Sequence, residues 1–434
     1  MSKTLSLMEQ EAVQVLEKLE QHGYLAFFVG GYVRDSLLGR PIHDIDLTTN
    51  ALPEQVLHIF PHCIPTGLKH GTVTVMMEHH SFEVTTFRTE SEYEQYRRPK
   101  KVEYVSRLED DLRRRDFTMN AMAMNRHLEL IDPFGGKKDI EDRLIRSVGN
   151  PAERFQEDAL RLIRCVRFSA NYGFDIEQRT EQALEQCSTL LKYIAMERVQ
   201  AEWERMMAGP RPWVGLRHLL RHGFIRNLKE ELPISPEMWE AVLHPGLEQW
   251  LRRLSGSQAR WCAVLWTLNC DPMIASEALK ILKYPNRFVE ETAAVLHVLE
   301  QWKTWDGAHE DGIKPFIRWS VRYGREPVLH ALSLLEQAPL VFQRKASDSF
   351  VQLLHTYGAK VQERLMAVPV QSAADLNVTG KDLITAGIRP GPRMGEILKT
   401  LLLQCALGDL PNEREVLLQA AGKWQEQGMQ GGID

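Results

Sequence analysis

Two aspartates at alternate positions are the first residues in this sequence that could do chemistry. Asp44 and Asp46 lie in a predicted strand, residues 44–48, so both carboxylates point to one face of it. Neighbouring carboxylates repel each other, and they are best tolerated where a divalent cation lies between them. The spacing therefore predicts a metal site, although a lone pair of this kind is more often a solvated strand edge.

A glycine pair after an apolar run predicts a tight turn beside these aspartates. Residues 25–29 lead into Gly30 and Gly31, and only glycine freely takes a positive φ or lets a ligand approach the backbone closely. A short helix is expected over residues 36–39. Its start would direct backbone N–H groups at an anion, with Arg34 adding positive charge. A lone Gly-Gly is usually a hairpin turn, but next to paired carboxylates it completes what a metal-bound nucleoside triphosphate needs.

A basic stretch could supply further charge for the same ligand. From Arg97 to Arg115, basic residues outnumber acidic residues eight to four, a local excess that suits a triphosphate or an RNA backbone. A charged run is usually only a solvated surface. Here it leads into the apolar residues 117–124, which would hold the last arginines in place, so Arg115 is the candidate phosphate contact.

Four charged residues recur every three positions in a segment of strong helical character, residues 155–168. Asp158, Arg161, Arg164 and Arg167 drift slowly round one side of the predicted helix, while apolar residues cover another side. Spacing alone favours a surface ladder of ion pairs, each contributing about a few tenths of a kcal/mol.

The elements that must position these residues form a small sheet followed by helices. Amphipathic spacing predicts a helix near residues 5–22, and β-branched runs predict strands at 25–29, 44–48, 71–77 and 81–88. A short helix is expected from residue 53, and the polar, aperiodic residues 90–101 are expected to be a mobile surface loop. The predicted fold is an α+β head with a small mixed β-sheet over 1–148. An all-α neck (149–208), body (209–310) and tail (311–434) follow.

Composition sets limits on partners and location. The chain has 434 residues, a net charge of −5, 44% hydrophobic and 26% charged residues, which is ordinary for a globular protein. No run of about 18 apolar residues and no signal-peptide pattern is present, so no membrane association is expected. The six cysteines form no CxxC pair, which predicts reduced thiols and a cytoplasmic location. Any RNA-binding charge must be concentrated locally.

The motif Gly-Gly-Tyr-Val-Arg-Asp at 30–35, followed by His-Asp-Ile-Asp-Leu-Thr-Thr at 43–49, resembles the start of class II tRNA nucleotidyltransferases, the bacterial CCA-adding enzymes of the polymerase β-like superfamily. The resemblance covers about the first half of the chain with high specificity and the second half more loosely. It implies that Asp44 and Asp46 hold Mg²⁺ and that Glu83, otherwise an ordinary strand acid, is a third catalytic carboxylate. It also implies that Gly30, Gly31, Arg34 and Arg115 hold the triphosphate.

The resemblance gives the charged helix a different role from an ion-pair ladder. The Glu-Asp-x-x-Arg motif at 157–161 matches the helix that selects the incoming base, so Asp158 and Arg161 would imitate a Watson–Crick partner for C and A. Arg164 and Arg167 would contact the triphosphate or fix the helix. In the family the loop at 90–101 accompanies the switch from C to A addition.

The resemblance implies tRNA as a partner and CTP and ATP as substrates, with no protein partner. A CC-only enzyme, an A-only enzyme and a poly(A) polymerase remain open as alternatives. So does a tRNA-binding protein with an inactive head.

Overall fold

The computed structural model describes residues 5–68, 71–94, 98–304, 313–339, 342 and 361–427. The chain divides into two compact units, Met1–Glu231 and Leu232–Asp434. The finer division into head, neck, body and tail stays a prediction. The α+β head followed by helices is confirmed, since every strand named below lies before residue 177.

The first unit is built on a mixed sheet with the strand order β3-β4-β5-β2-β1-β8-β9. Its neighbouring strands are antiparallel except for β2 and β5, which run parallel. The described strands are β1 (Ala26–Val29), β2 (Asp46–Thr49), β3 (Cys63–Gly67), β4 (Thr72–Met76), β5 (Ser81–Thr86), β6 (Arg88–Glu94), β7 (Arg98–Tyr104), β8 (Ala123–Met124), β9 (Leu130–Ile131), β10 (Leu144–Ile145) and β11 (Asp175–Ile176).

The α-helices of the first unit surround and follow this sheet. They are α1 (Leu7–Gln21), α2 (Gly31–Leu37), α3 (Pro53–Ile59), α4 (Leu108–Arg113), α5 (Gly136–Glu141), α6 (Pro151–Glu157), α7 (Leu160–Phe168), α8 (Gln178–Cys187), α9 (Met196–Ala208) and α10 (Pro212–Arg221). The first of them confirms the amphipathic helix predicted near residues 5–22, and Ser6 caps it by accepting from the Glu9 amide.

The second unit is described as helices. They are α11 (Pro236–Trp239), α12 (Pro245–Arg253), α13 (Ser257–Thr267), α14 (Pro272–Ile281), α15 (Asn286–Thr304), α16 (Lys314–Tyr323), α17 (Arg325–Gln337), α18 (Gly380–Thr385), α19 (Pro392–Leu407) and α20 (Arg414–Gln427). Among the described helices of both units, none is long and apolar enough to cross a bilayer.

Alternating burial along the central strands separates the core from the face that carries charge. In β5 the side chains of Phe82 and Val84 are buried, whereas Ser81 and Glu83 are exposed. This period of two is what a strand with one packed face requires. The sheet therefore presents its acidic side chains on the face opposite its hydrophobic core.

The segment 90–101 is predicted to be a loop, but the described residues around it form two paired strands. β6 and β7 form an antiparallel ribbon in which Arg88 pairs with Tyr104 and Glu94 pairs with Arg98. A ribbon held by backbone hydrogen bonds needs no alternation of apolar residues, so periodicity could not reveal it. Residues 95–97 of this predicted loop lie outside the described residues.

Two predicted helices have different bounds in the structure. The segment 155–168 is broken between α6 and α7 at Asp158, whose backbone is extended (φ −139°, ψ 104°). The Asp158 Oδ1 atom accepts from the Leu160 amide at 3.1 Å, so this carboxylate starts a new helix instead of continuing one. The helix expected over 36–39 begins five residues earlier, at Gly31.

Candidate active site

Three strands bring the predicted carboxylates to one place. Strand pairing sets Val29 opposite Asp46 in β1–β2, and Asp46 opposite Glu83 in β2–β5. Asp44 lies two residues before Asp46, just ahead of β2. The long-range pairing therefore places Glu83 beside the aspartates although it is 37 residues from Asp46 in the sequence.

The pKa of Asp46 responds to both neighbouring carboxylates. Surrounding protein desolvates this carboxylate, although the residue still reaches solvent, and this raises its pKa. Repulsion from Asp44 and, more weakly, from Glu83 raises the pKa further, while Arg115 lowers it. A divalent cation would relieve this repulsion, and carboxylate oxygens are the donors that Mg²⁺ prefers. The donor set thus fits the ion that the resemblance implies.

Gly30 lies next to Asp46 and Arg115, at the turn between β1 and α2. Its φ of 66° is in the left-handed region, and it immediately precedes α2, which starts at Gly31. A Cβ atom at Gly30 would lie 3.1 Å from Arg115 Nη1 and 3.7 Å from Asp46 Oδ2. Glycine therefore suits the turn through its positive φ, and a side chain here would press on the Arg115 guanidinium.

Arg115 lies beside Asp46 and, within the described part of the chain, has an N–H group that is not used in a hydrogen bond. Its Nη2 atom lies 3.4 Å from Asp111 Oδ2, and its buried Nε has no hydrogen-bond partner among the described residues. Asp111 is fully buried, and although burial raises its pKa, Arg114 and Arg115 outweigh that effect and lower it. A guanidinium with an unpartnered N–H group, close to carboxylates that could bind a metal ion, is suited to binding an anionic ligand.

Arg34 faces inward in this structure. Its Nε and Nη2 atoms donate to the two Asp35 carboxylate oxygens at 3.0 and 2.7 Å, and Nη1 donates to Asn120 Oδ1 at 2.6 Å. The guanidinium also lies 4.7 Å from the ring centre of Tyr172. Arg34 therefore joins α2 to neighbouring segments. In this arrangement its hydrogen bonds go to Asp35 and Asn120, and it is not directed at Asp44, Asp46 or Glu83.

A buried ion pair connects the segment after Arg115 to α7. Arg164 Nε donates to Asp116 Oδ2 at 2.8 Å, and Asp116 also accepts from the Asn120 side chain and the Phe117 amide. Burial alone would raise the pKa of Asp116, but Arg164 and these hydrogen bonds hold it well below its ordinary value. Arg164 thus fixes α7 against the head.

Asp158 and Arg161 are near each other in sequence but have separate partners. Arg198 of α9 grips Asp158 with both Nη atoms, at 3.2 and 2.9 Å. Arg161 donates to Glu157 Oε2 at 2.6 Å and to the Arg114 carbonyl at 2.8 Å. Arg198 is a candidate site residue that the sequence did not single out, because its partner is 40 residues away.

Arg167 packs into a second buried network. Its Nε donates to Glu202 of α9, and its guanidinium lies 4.0 Å from the ring centre of Phe168. Glu202 also accepts from Arg205 at 3.0 Å. Desolvation lowers the pKa of Arg167 and Glu202 opposes this shift. These contacts connect α7 to α9 through Arg167 and Glu202.

Three family models match consecutive parts of the chain. Residues 26–146 match the poly A polymerase head domain, and residues 173–235 match the probable RNA and SrmB-binding site of polymerase A. Residues 252–421 match the model described as tRNA nucleotidyltransferase domain 2, putative. The first match contains Asp44, Asp46 and Glu83.

Whole-chain relatives agree with these matches. The chain is 37% identical over 409 residues to a CCA-adding enzyme of Bacillus cytotoxicus, covering 94% of this chain and 96% of that one. It is also 37% identical over 422 residues to a CCA-adding enzyme of Pediococcus pentosaceus, covering 96% and 98%. The crystal structure of the Bacillus stearothermophilus CCA-adding enzyme in complex with CTP superposes with a TM-score of 0.80 at 34% identity, covering 97% and 98%. This chain therefore belongs to the family of CCA-adding enzymes.

Proposed function

We propose that this protein adds C, C and A to the 3′ end of tRNA, using CTP and ATP and releasing pyrophosphate, without a nucleic-acid template. The observation that carries the proposal is the pairing of Asp46 with Glu83 across β2–β5, next to Gly30 and Arg115. It agrees with relatives of the same length that are named CCA-adding enzymes. We infer a cytoplasmic location from the proposed activity on tRNA.

The reaction is an in-line displacement at the α-phosphate. The tRNA 3′-hydroxyl oxygen forms the new bond to phosphorus, pyrophosphate leaves with its bonding electron pair, and the hydroxyl proton passes to solvent. Asp44 and Asp46 would hold two Mg²⁺ ions, which supply charge neutralisation for the attacking and leaving oxygens. Glu83 adds negative charge beside Asp46. Arg115 donates to the triphosphate through the N–H groups that it directs past Gly30.

Base selection is assigned to Asp158 and Arg161. Cytosine and adenine both present an exocyclic amine next to a ring nitrogen, so a carboxylate can accept from the amine while a guanidinium donates to the nitrogen. Uracil and guanine present a carbonyl to the carboxylate instead. One such bidentate pair discriminates by about 1–3 kcal/mol. Nucleotide binding would require both side chains to exchange their present partners, Arg198 and Glu157.

The remaining arginines support this machinery. Arg164 and Arg167 hold α7 against Asp116 and Glu202, so we assign them chiefly to fixing the helix that carries base selection. Arg34, which is bonded to Asp35 and Asn120, is proposed to hold the start of α2 close to the triphosphate. The family resemblance implies that enzymes adding only CC lack the loop at 90–101, so its presence here favours complete CCA addition over the CC-only alternative.

Three transcripts of one tRNA test the proposal, ending before CCA, after C and after CC. Each is incubated with Mg²⁺ and CTP, ATP or both. We expect all three to be extended to CCA, and we expect Asp44→Asn to lose this activity while it still binds tRNA. Extension that stops at CC, or that occurs only on the CC-ended transcript, would contradict full CCA addition. No extension at all would indicate a tRNA-binding protein.

A further inference from the structure

A cluster of metal-type ligands lies on α8 and α10, on residues that the active site described above does not include. His218 and His222 are four residues apart on α10 and its C-cap, so they share one face of the helix. Glu181 of α8 faces them, and one ligand atom from each of the three residues lies within 4.8 Å of the other two. Among the described residues, no other such group of three is found.

The distances within this cluster suit a bound ion. His218 Nδ1 lies 3.3 Å from His222 Nε2, and the latter lies 3.7 Å from Glu181 Oε1. Two imidazole nitrogens at about 2.0–2.1 Å from one tetrahedral Zn²⁺ are about 3.4 Å apart. The two nitrogens therefore need almost no movement to share an ion, and the glutamate needs a small side-chain adjustment.

The surroundings of His222 provide a separate observation. The residue is only 4% exposed, and its Nδ1 has no hydrogen-bond partner among the described residues. That nitrogen points towards Glu185 Oε1 at 3.7 Å. A metal-bound histidine normally donates its other ring N–H to a carboxylate, which fixes the ring. Glu185 is positioned for that role once Nε2 is used for a ligand.

Solvent can reach the cluster through one of its three residues. The side chain of Glu181 is 28% exposed, which leaves a route from solvent to the cluster.

We propose that Glu181, His218 and His222 form a binding site for a transition-metal dication of the Zn²⁺ class. The bound ion would link α8 to α10. Two imidazoles and one carboxylate are a donor set typical of Zn²⁺, with a fourth position left for water. The ordinary alternative is a hydrogen bond between the two histidines. In that case the ion pair from Arg221 Nη1 to Glu181 Oε1, at 3.1 Å, completes the cluster.

Calorimetric titration of the full-length chain with ZnCl₂ in a large excess of Mg²⁺ tests the proposal, because Mg²⁺ saturates the carboxylate site but binds imidazole poorly. We expect one tight equivalent of Zn²⁺. His218→Gln and Glu181→Gln should each weaken it at least tenfold, whereas His58→Gln, at an exposed residue of α3, should not change it. Titration with Co²⁺ should give a visible absorption band typical of a four-coordinate site that His218→Gln removes.

Arg221→Gln distinguishes a metal site from a cluster held only by the histidine hydrogen bond and the Arg221–Glu181 ion pair. Because this change frees Glu181 from its ion pair, Zn²⁺ should bind several-fold more tightly. In the absence of metal, each variant should keep the thermal unfolding midpoint of the parent, which shows that a loss of Zn²⁺ binding does not come from unfolding. His218→Gln is chosen as a conservative change because His218 is only half-buried. The absence of a tight equivalent, equal binding by His218→Gln, or weaker binding by Arg221→Gln would overturn the site.

Discussion

Breaking the buried pair between Asp116 and Arg164 should destabilise the first unit measurably. Asp116→Asn leaves an acceptor for the Phe117 amide and the Asn120 side chain, so the main loss is the charge partner of Arg164. Removing one partner of a buried ion pair costs about 3–5 kcal/mol. Since the Arg164 side chain is 31% exposed, water compensates part of this, and we expect about 2–3 kcal/mol.

Scanning calorimetry of the full chain measures this effect. For a folding unit of about 150–250 residues, 1 kcal/mol shifts the unfolding temperature by about 2–4 °C, so Asp116→Asn should lower the transition of the first unit by about 4–12 °C. The control is the double variant Asp116→Asn/Arg164→Met, which removes both charges and should recover at least about 1 kcal/mol relative to the sum of the single changes. A single-variant effect below about 1 kcal/mol, or strict additivity, would refute the reasoning.

The pH dependence of the same pair has a definite sign. The folded-state pKa of Asp116 is held below its ordinary value of 3.8, so its stabilisation is fully present above that value. It is lost as the pH falls towards the folded-state pKa. The stability advantage of the parent over Asp116→Asn should therefore be constant near neutral pH and shrink in acid. An advantage that persists unchanged at pH 2 would contradict the assigned ion pair.

Three further outcomes are expected. Asp158→Asn replaces one carboxylate oxygen with an NH₂ donor, so the ratio of kcat/KM for CTP over UTP should fall by about 5–150-fold, which corresponds to about 1–3 kcal/mol; an unchanged ratio would remove Asp158 from base selection. Gly30→Ala and Gly39→Ala both place a side chain at positive φ, costing about 1–2 kcal/mol in melting experiments. Only Gly30→Ala, whose Cβ would approach Arg115 and Asp46, should also weaken nucleotide binding, and equal effects of the two changes on binding would contradict the assigned role of Gly30. Chelation of divalent ions should abolish nucleotide addition and added Mg²⁺ should restore it, whereas activity that survives chelation would exclude the metal role of Asp44 and Asp46.

The central strands and the acidic pair were predictable because each has a local cause. β5 alternates between buried and exposed residues, and Asp44 and Asp46 are both exposed on either side of the buried Ile45, as their two-residue spacing predicts. Glu83 could be added only through the family resemblance, since its neighbour Asp46 is reached by a pairing of distant strands.

The parts that sequence reasoning missed depend on contacts between distant residues. Arg198 carries no local signal that it will grip Asp158, and Asn120 carries none that it will bond Arg34. The break before α7 was missed because helical spacing continues through Asp158, while its side chain makes the competing cap. The β6–β7 ribbon was missed because backbone pairing leaves no apolar alternation.

The most direct test of the whole account offers the protein all four nucleoside triphosphates at equal concentration with a tRNA that lacks CCA. The 3′ ends of the products are then sequenced. We predict ends that terminate in CCA, with U and G absent and no extension beyond the final A, and we predict no addition by Asp46→Asn. Ends that stop at CC, carry A tracts, or incorporate U or G would contradict a protein-directed site built on Asp44, Asp46 and Asp158.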